Sequence, residues 1–280
     1  MKHVIFATLL AVASMGAMAG SSRDAESSAV VNGTIVLATD GTVQTAVIDN
    51  EASYGKSIAD MVRTAALHWR FQPVTRDGKP VLAKASMHVR VVVKKASGGN
   101  YTARIKGATF GEPDKNSTDV LHRTESSQKI LPRYPMAAIH NRVQGTVYLA
   151  LRVDREGHVT QAVAEQVNLR NIGPERIVKI YRKVLADAAL DVARKWSYVP
   201  PSTGKLAHQD GWIAHVPVDF HLNELGKAPS TSVWQTYIPG PYTPAPWVDR
   251  PDTNAVDAIA DGTMQTDGAG PTLLAPITQS

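Results

Sequence analysis

Nine histidines are the side chains of this 280-residue sequence with the widest chemical reach, because imidazole can ligate a metal or move a proton near neutral pH. His208, His215 and His221 fall close together in the chain. His215 and His221, however, lie on what reads as one strand. At about 3.4 Å per residue their separation is roughly 20 Å, too far to share an ion. Asp219 and His221 share a strand face at about 7 Å, a spacing that any polar strand face provides. His68 adjoins Trp69 at a helix end, where an imidazole meets the last carbonyls, and His122, His140 and His158 fall in a linker, a helix and a turn. Serine is plentiful, but there is no Gly-x-Ser-x-Gly elbow, no Gly-x-Gly-x-x-Gly and no phosphate loop. There is no cysteine, hence no thiolate nucleophile, thiolate metal site or disulfide. The expectation is a protein that is not an enzyme, with no catalytic residue, no metal site, no cofactor and no small-molecule substrate.

The elements that would position any site come as a repeated phrase. Ala66–Val74 reads ALHWRFQPV and Ala193–Pro201 reads ARKWSYVPP, with Trp69 and Trp196 127 positions apart. Ile58, Val62, Ala65 and Trp69 fall on one helical face, and the same shift gives Leu185, Ala189, Val192 and Trp196. Pro73 and Pro200 follow where each helix must already have ended. The second helix can start near Pro174 and run to Trp196. Downstream, Val89, Val91 and Val93 alternate along one strand, and Val216, Val218, Phe220 and Leu222 along another. Upstream, a hairpin turns at Asp40-Gly41 and its counterpart between Asp154 and Gly157. Each unit reads strand, turn, strand, helix, strand, an internal duplication.

At the N-terminus a short basic start, the uncharged run VIFATLLAVASMG and the small-x-small triplet Ala17-Met18-Ala19 have the layout of a cleavable signal peptide over 1–19, with the mature chain starting at Gly20. The run from Val4 to Ala19 is short of the roughly 20 residues that a spanning helix needs. The expected location is therefore the periplasm. The net charge of +5 is unevenly spread: residues 94–142 hold nine Lys/Arg against four Asp/Glu, and 225–280 hold two against five. A basic segment suits nucleic acid, anionic lipid or an acidic polymer. Export argues against nucleic acid, and a solvated linker accounts for the same charges.

The stretch LPRYPMAAIHNRVQGTVYLALRVDREGHVTQAV, then ALDVARKWSYVPP, then VPVDFHL resembles the C-terminal domain of the TonB family of periplasmic energy transducers. Tyr134, Pro135, Gly145, Gly157, Trp196, Pro200 and Phe220 stand in the slots of that family's pattern. The resemblance covers roughly 125–224. Residues 28–95, with Trp69 and Pro73, look like a degenerate second copy that lacks the Tyr-Pro and so an obvious first helix.

What the resemblance implies is an α+β fold of two tandem small domains, each a three-stranded antiparallel sheet with a helix on one face. A linker at 96–124 would join them, and a Pro/Gly/Ser/Thr-rich disordered tail would follow from 225 to 280. The aromatics of VWQTYIPGPYTPAPW in that tail suit either a recognition segment or a strap on its own domain. The implied role is recognition of an envelope protein, an outer-membrane receptor or its peptide segment, partly by pairing at an exposed sheet edge. A homodimer stays open. The cleavable leader and the lack of a long Pro-rich spacer depart from a transducer. The expectation is therefore a TonB-like binding module. The alternatives are a genuine transducer whose leader is an uncleaved anchor, or an envelope structural protein docked to an anionic cell-wall polymer.

Pro217 lies in the closing strand, and proline belongs on an edge strand with its nitrogen outward. A partner would have to pair past the proline or choose the opposite edge of the sheet; the edge expected to bind is Asp219, Phe220, His221 and Leu222, with Leu222 supplying a main-chain donor. His215, Asp219 and His221 are expected to face solvent.

Overall fold

The computed structural model describes residues 25–76, 78–95, 100–111, 117–171, 173–223, 232–248, 256–275 and 277. The expected signal and its cleavage site at Ala17, Ala19 and Gly20 lie outside the described residues. No described helix is long and apolar enough to cross a membrane.

The architecture is mixed α+β. The first half runs β1 (Glu26–Leu37), β2 (Val43–Ile48), α1 (Glu51–Tyr54), α2 (Lys56–His68), β3 (Thr75–Arg76), β4 (Lys79–Pro80), β5 (Ala83–Lys95) and β6 (Tyr101–Phe110). The second runs β7 (His122–Arg123), α3 (Glu125–Gln128), α4 (Met136–His140), β8 (Gly145–Asp154), β9 (Val159–Leu169), α5 (Glu175–Ala193), β10 (Tyr198–Val199) and β11 (Gly211–Phe220). Beyond it come β12 (Gln235–Tyr237), a 3-10 turn (Val256–Ala258) and β13 (Gln265–Thr266).

In the first sheet β1 pairs antiparallel with β2 on one edge and β5 on the other, and β6 pairs with β5. In the second sheet β8 takes the place of β1, with β9 on one edge and β11 on the other. The connection hairpin, helix, returning strand is the same in both halves. β-Branched runs such as Val89–Val93 and alternating ones such as Val216–Phe220 suit pleated, packed surfaces.

Each sheet has its own apolar core under its helix. In the second, Leu185, Ala189, Val192 and Trp196 are buried against Leu149, Leu151 and Val218, as the expected stripe requires. Burying one such Leu stabilises by about 1.5–3 kcal/mol. The first helix sits differently. Ala59, Val62 and Ala66 form its buried line, while Ile58, Ala65 and Trp69 are only partly covered. The small Ala side chains bring the helix close to β2, which turns the larger residues to the flank.

Three expectations fail in physical detail. The sheets are not three-stranded: the first has five strands and the second four. The segment 96–124 is not only a linker, because it contains β6, which pairs with β5 from Met87↔Phe110 to Lys95↔Tyr101. The segment 225–280 is not wholly disordered either. β12 adds to β1 at Glu26–Ser28, Ile238 bridges to Leu169, β13 adds to β11 at Ala214–His215, and Leu273 bridges to Phe71. The described parts of this tail hold their place without a core of their own because their backbone groups pair with strand edges that the two sheets leave open.

A candidate docking edge and the polar layer behind it

Tyr134 donates its hydroxyl to the Val143 carbonyl at 2.6 Å and meets the Phe220 ring edge-on at 5.4 Å. Pro135 stands at the N-cap of α4, and Gly145 opens β8. Trp196 is sealed in the second core, its indole N–H given to the Ile130 carbonyl at 3.0 Å and its face covered by the Arg123 guanidinium at 3.9 Å. Trp69 instead stacks edge-on with Phe110 at 5.2 Å. Gly157 (φ 84°) and Gly41 (φ 82°) hold matching places in the two hairpin turns. A Cβ on either would lie 2.0 Å from the carbonyl of Tyr198 or Phe71 respectively. Pro200 and Pro73 lie against the same two glycines.

The Asp267 N–H donates to the Ile213 carbonyl at 2.9 Å, with Ala214 opposite Thr266. Backbone groups of an antiparallel strand alternate between its two edges, so Ile213, His215, Pro217 and Asp219 all aim outward from the sheet. Pro217 therefore sits where a missing N–H costs the β8–β11 ladder nothing. Even-numbered residues face β8. Leu222 follows that side: its N–H is given to the Gln144 side chain at 3.0 Å, and it is not the free donor that the sequence suggested. His215 does not face solvent either. It is 7% exposed, between Glu165 Oε2 at 3.1 Å and Asp267 Oδ1 at 3.2 Å, because the tail lies over it. Asp219 and His221 are exposed. Asp219 accepts from Thr146 Oγ1 at 3.0 Å and pairs with Arg170. Burial, aided by the Asp219 carboxylate, pushes the Tyr134 hydroxyl up to about 12.

Behind this edge the helix-free faces of the two sheets meet in a buried polar layer that sequence reasoning missed. Arg90 on β5 donates to Ser28 Oγ at 3.0 Å and to the Tyr148 hydroxyl on β8 at 3.4 Å. Lys106 on β6 reaches Asp257 Oδ2 at 2.6 Å and Glu26 Oε2 at 3.2 Å. Asn168 and Gln166 on β9 donate to the same Asp257 oxygen at 2.8 and 3.1 Å. Asp257 is thus a knot between both sheets and the tail. Its burial opposes the charge, but Lys106 and Arg90 hold its carboxyl below the usual carboxylate range. Burial raises the hydroxyls of Tyr148 and Tyr237 instead. Among the described residues no three His, Asp or Glu side chains converge on a metal position. One signal was available: Arg90 and Lys106 interrupt apolar runs at alternate positions, marking a second covered strand face.

Ninety-two residues of the chain, 33% of its length, are 32% identical to the protein tonB2 of Pseudomonas aeruginosa, of which they cover 29%. A stretch of 92 residues is 35% identical to the TonB protein of two strains of Xanthomonas campestris pv. campestris, covering 35% of it. The chain thus spans about a third of the length of these curated relatives. No family model matches the chain, and no solved structure matches it at the same level of significance.

Proposed function

We propose, from the TonB-like C-terminal domain that this chain carries, that it is a periplasmic protein-binding module of the cell envelope. In this reading it captures an extended segment of a partner, an outer-membrane receptor being the family's precedent, on the outer edge of β11 around Asp219 and His221. It is neither an enzyme nor itself the energy transducer. The half that precedes it is a degenerate copy of the same unit, and its role is to cover the helix-free face of the second sheet.

The observation that carries this reading is the edge itself. Among the described residues, β13 covers β11 only at Ala214 and His215. Among the described residues the outward backbone groups of Asp219, beyond Pro217, have no strand partner; Asp261 of the tail lies close enough for the two carboxyls to interact. An unpaired edge is a template for an extended peptide, and main-chain bonds supply the affinity. Arg170 pairs with the Asp219 side chain.

The reading is tested by placing a photo-crosslinking residue at His221, with Tyr101 on the other sheet as control, and irradiating intact cells. A specific outer-membrane protein crosslinked from 221 and not from 101 supports it. Identical products from both positions, or none, would end it.

A further inference from the structure

The open part of β11 is short. Beyond Pro217 only Asp219 offers both an outward N–H and an outward carbonyl within the strand, and isolated pairing of that length is not stable in water. A partner segment needs the upstream half of the edge, Ile213 to His215, and that half is occupied by the chain itself. Asp267 gives its N–H to the Ile213 carbonyl at 2.9 Å. Its carboxylate lies 3.2 Å from His215 Nε2, while Glu165 holds the other ring nitrogen at 3.1 Å. The seated residues are few. β13 has two residues, Gly268 and Gly270 follow with positive φ, and the buried Thr266 hydroxyl has no partner among the described residues.

We propose that residues 265–267 are a built-in surrogate ligand on β11, and that the partner is an extended segment which runs antiparallel to β11, displaces them, and places a carboxylate of its own against His215. The proposal rests on β11 being the partner strand and adds to it what the partner must carry and what it must remove. The tail's own ionic match argues the chemistry. A strand that displaced it without a carboxylate would leave His215 buried against Glu165 alone.

The probe is a fluorescent peptide with the sequence of residues 262–270, Gly-Thr-Met-Gln-Thr-Asp-Gly-Ala-Gly, added to the full chain. In the wild type the tethered strand competes at an effective concentration of about millimolar, so binding should be weak. Asp267→Pro removes both the N–H to Ile213 and the carboxylate. That chain should bind the peptide about 100-fold more tightly, and a peptide with Asn in place of Asp should lose about tenfold. A folded Asp267→Pro chain with wild-type affinity for the peptide overturns the proposal. So does a stable dimer of that variant, which would make a second copy the occupant. If Asp267→Pro does not fold, hydrogen exchange on the wild type decides. The His215 amide, facing β13, should exchange by local opening long before Leu149 and Leu151, and equal protection of all three overturns the proposal. Crosslinking from His221 reads separately whether an envelope protein comes to this edge at all. A crosslink with no peptide effect removes the surrogate alone, and a peptide effect with no crosslink removes the functional reading alone.

Discussion

Tyr198 gives its backbone N–H to the Gly157 carbonyl at 2.8 Å, so the aromatic that closes the second Trp-x-aromatic-x-Pro phrase is locked onto the tip of the preceding hairpin. Phe71 makes the same bond to Gly41 at 2.9 Å. The phrase is repeated because each half must solve one problem: returning the chain from the helix end to the open side of the hairpin turn.

Gly157→Ala should therefore destabilise strongly. The position has φ 84°, and a Cβ would lie 2.0 Å from the Tyr198 carbonyl oxygen. A strained backbone alone costs on the order of 1–3 kcal/mol, and the clash adds to it. Thermal unfolding should show a fall in Tm of at least about 4 °C. Gly41→Ala should behave alike. Gly173→Ala, where no atom lies within 4 Å of the added Cβ, should leave Tm nearly unchanged.

The two tryptophans should separate in their cost. Trp196 is 3% exposed and hydrogen-bonded, so Trp196→Ala should cost about 3–5 kcal/mol. Trp69 is only partly buried, and Trp69→Ala should cost less than half as much by denaturant titration. Both variants should unfold in one transition. The polar layer and the tail join the two halves, whereas a flexible linker would have let each melt alone. Two resolved transitions in either variant would contradict that coupling.

The fold was legible where one stretch of sequence decides it. Leu185, Ala189, Val192 and Trp196 form a stripe that needs no knowledge of a partner. In sequence β6 lies in a charged Gly- and Lys-containing stretch that suits a solvated linker, yet Arg104 and Lys106 meet Glu26 and, 151 positions away, Asp257. Periodicity carries no record of so distant a neighbour. The tail was unreadable for a related reason. β12 and β13 have three and two residues, too few for any alternation, and they are strands only because β1 and β11 offer them an edge. At the candidate site Pro217 was informative, since a missing N–H has a direction. Leu222 was not, because its capture by Gln144 depends on how the strand end meets β8.

The polar layer predicts an asymmetric response to mutation. Lys106→Met leaves the Asp257 carboxylate buried without its direct cation, while Glu26 keeps Lys94 and Arg104, and should cost about 3–5 kcal/mol. Asp257→Asn in the same chain should restore part of that loss. Arg155, whose pair with Asp210 has side chains 57% and 97% exposed, should lose under about 1 kcal/mol on replacement by Ala. Equal costs for Lys106→Met and Arg155→Ala in a denaturant series would mean that water reaches the layer.

His215 makes the tail's hold on β11 depend on pH. Burial works against its charge, but the hydrogen bonds its ring gives to the Asp267 and Glu165 carboxylates outweigh burial and push its pKa up to about 9, from the ordinary 6.5. The charged groups packed against it are Glu165 from β9 and Asp267 from the tail. A pKa raised in the folded state contributes stability that is fully present below the unfolded value near 6.5. That stability falls as pH rises through about 9, and it is on the order of 3 kcal/mol. Stability measured from pH 6 to pH 10 should therefore decline in the wild type, and the decline should shrink in His215→Gln, which cannot titrate. The tail should also loosen first, so exchange of the Asp267 amide, corrected for the intrinsic pH dependence, should accelerate above about pH 9 before that of Leu151. A His215→Gln profile that falls as steeply as the wild type over this range would assign the pH dependence to other groups.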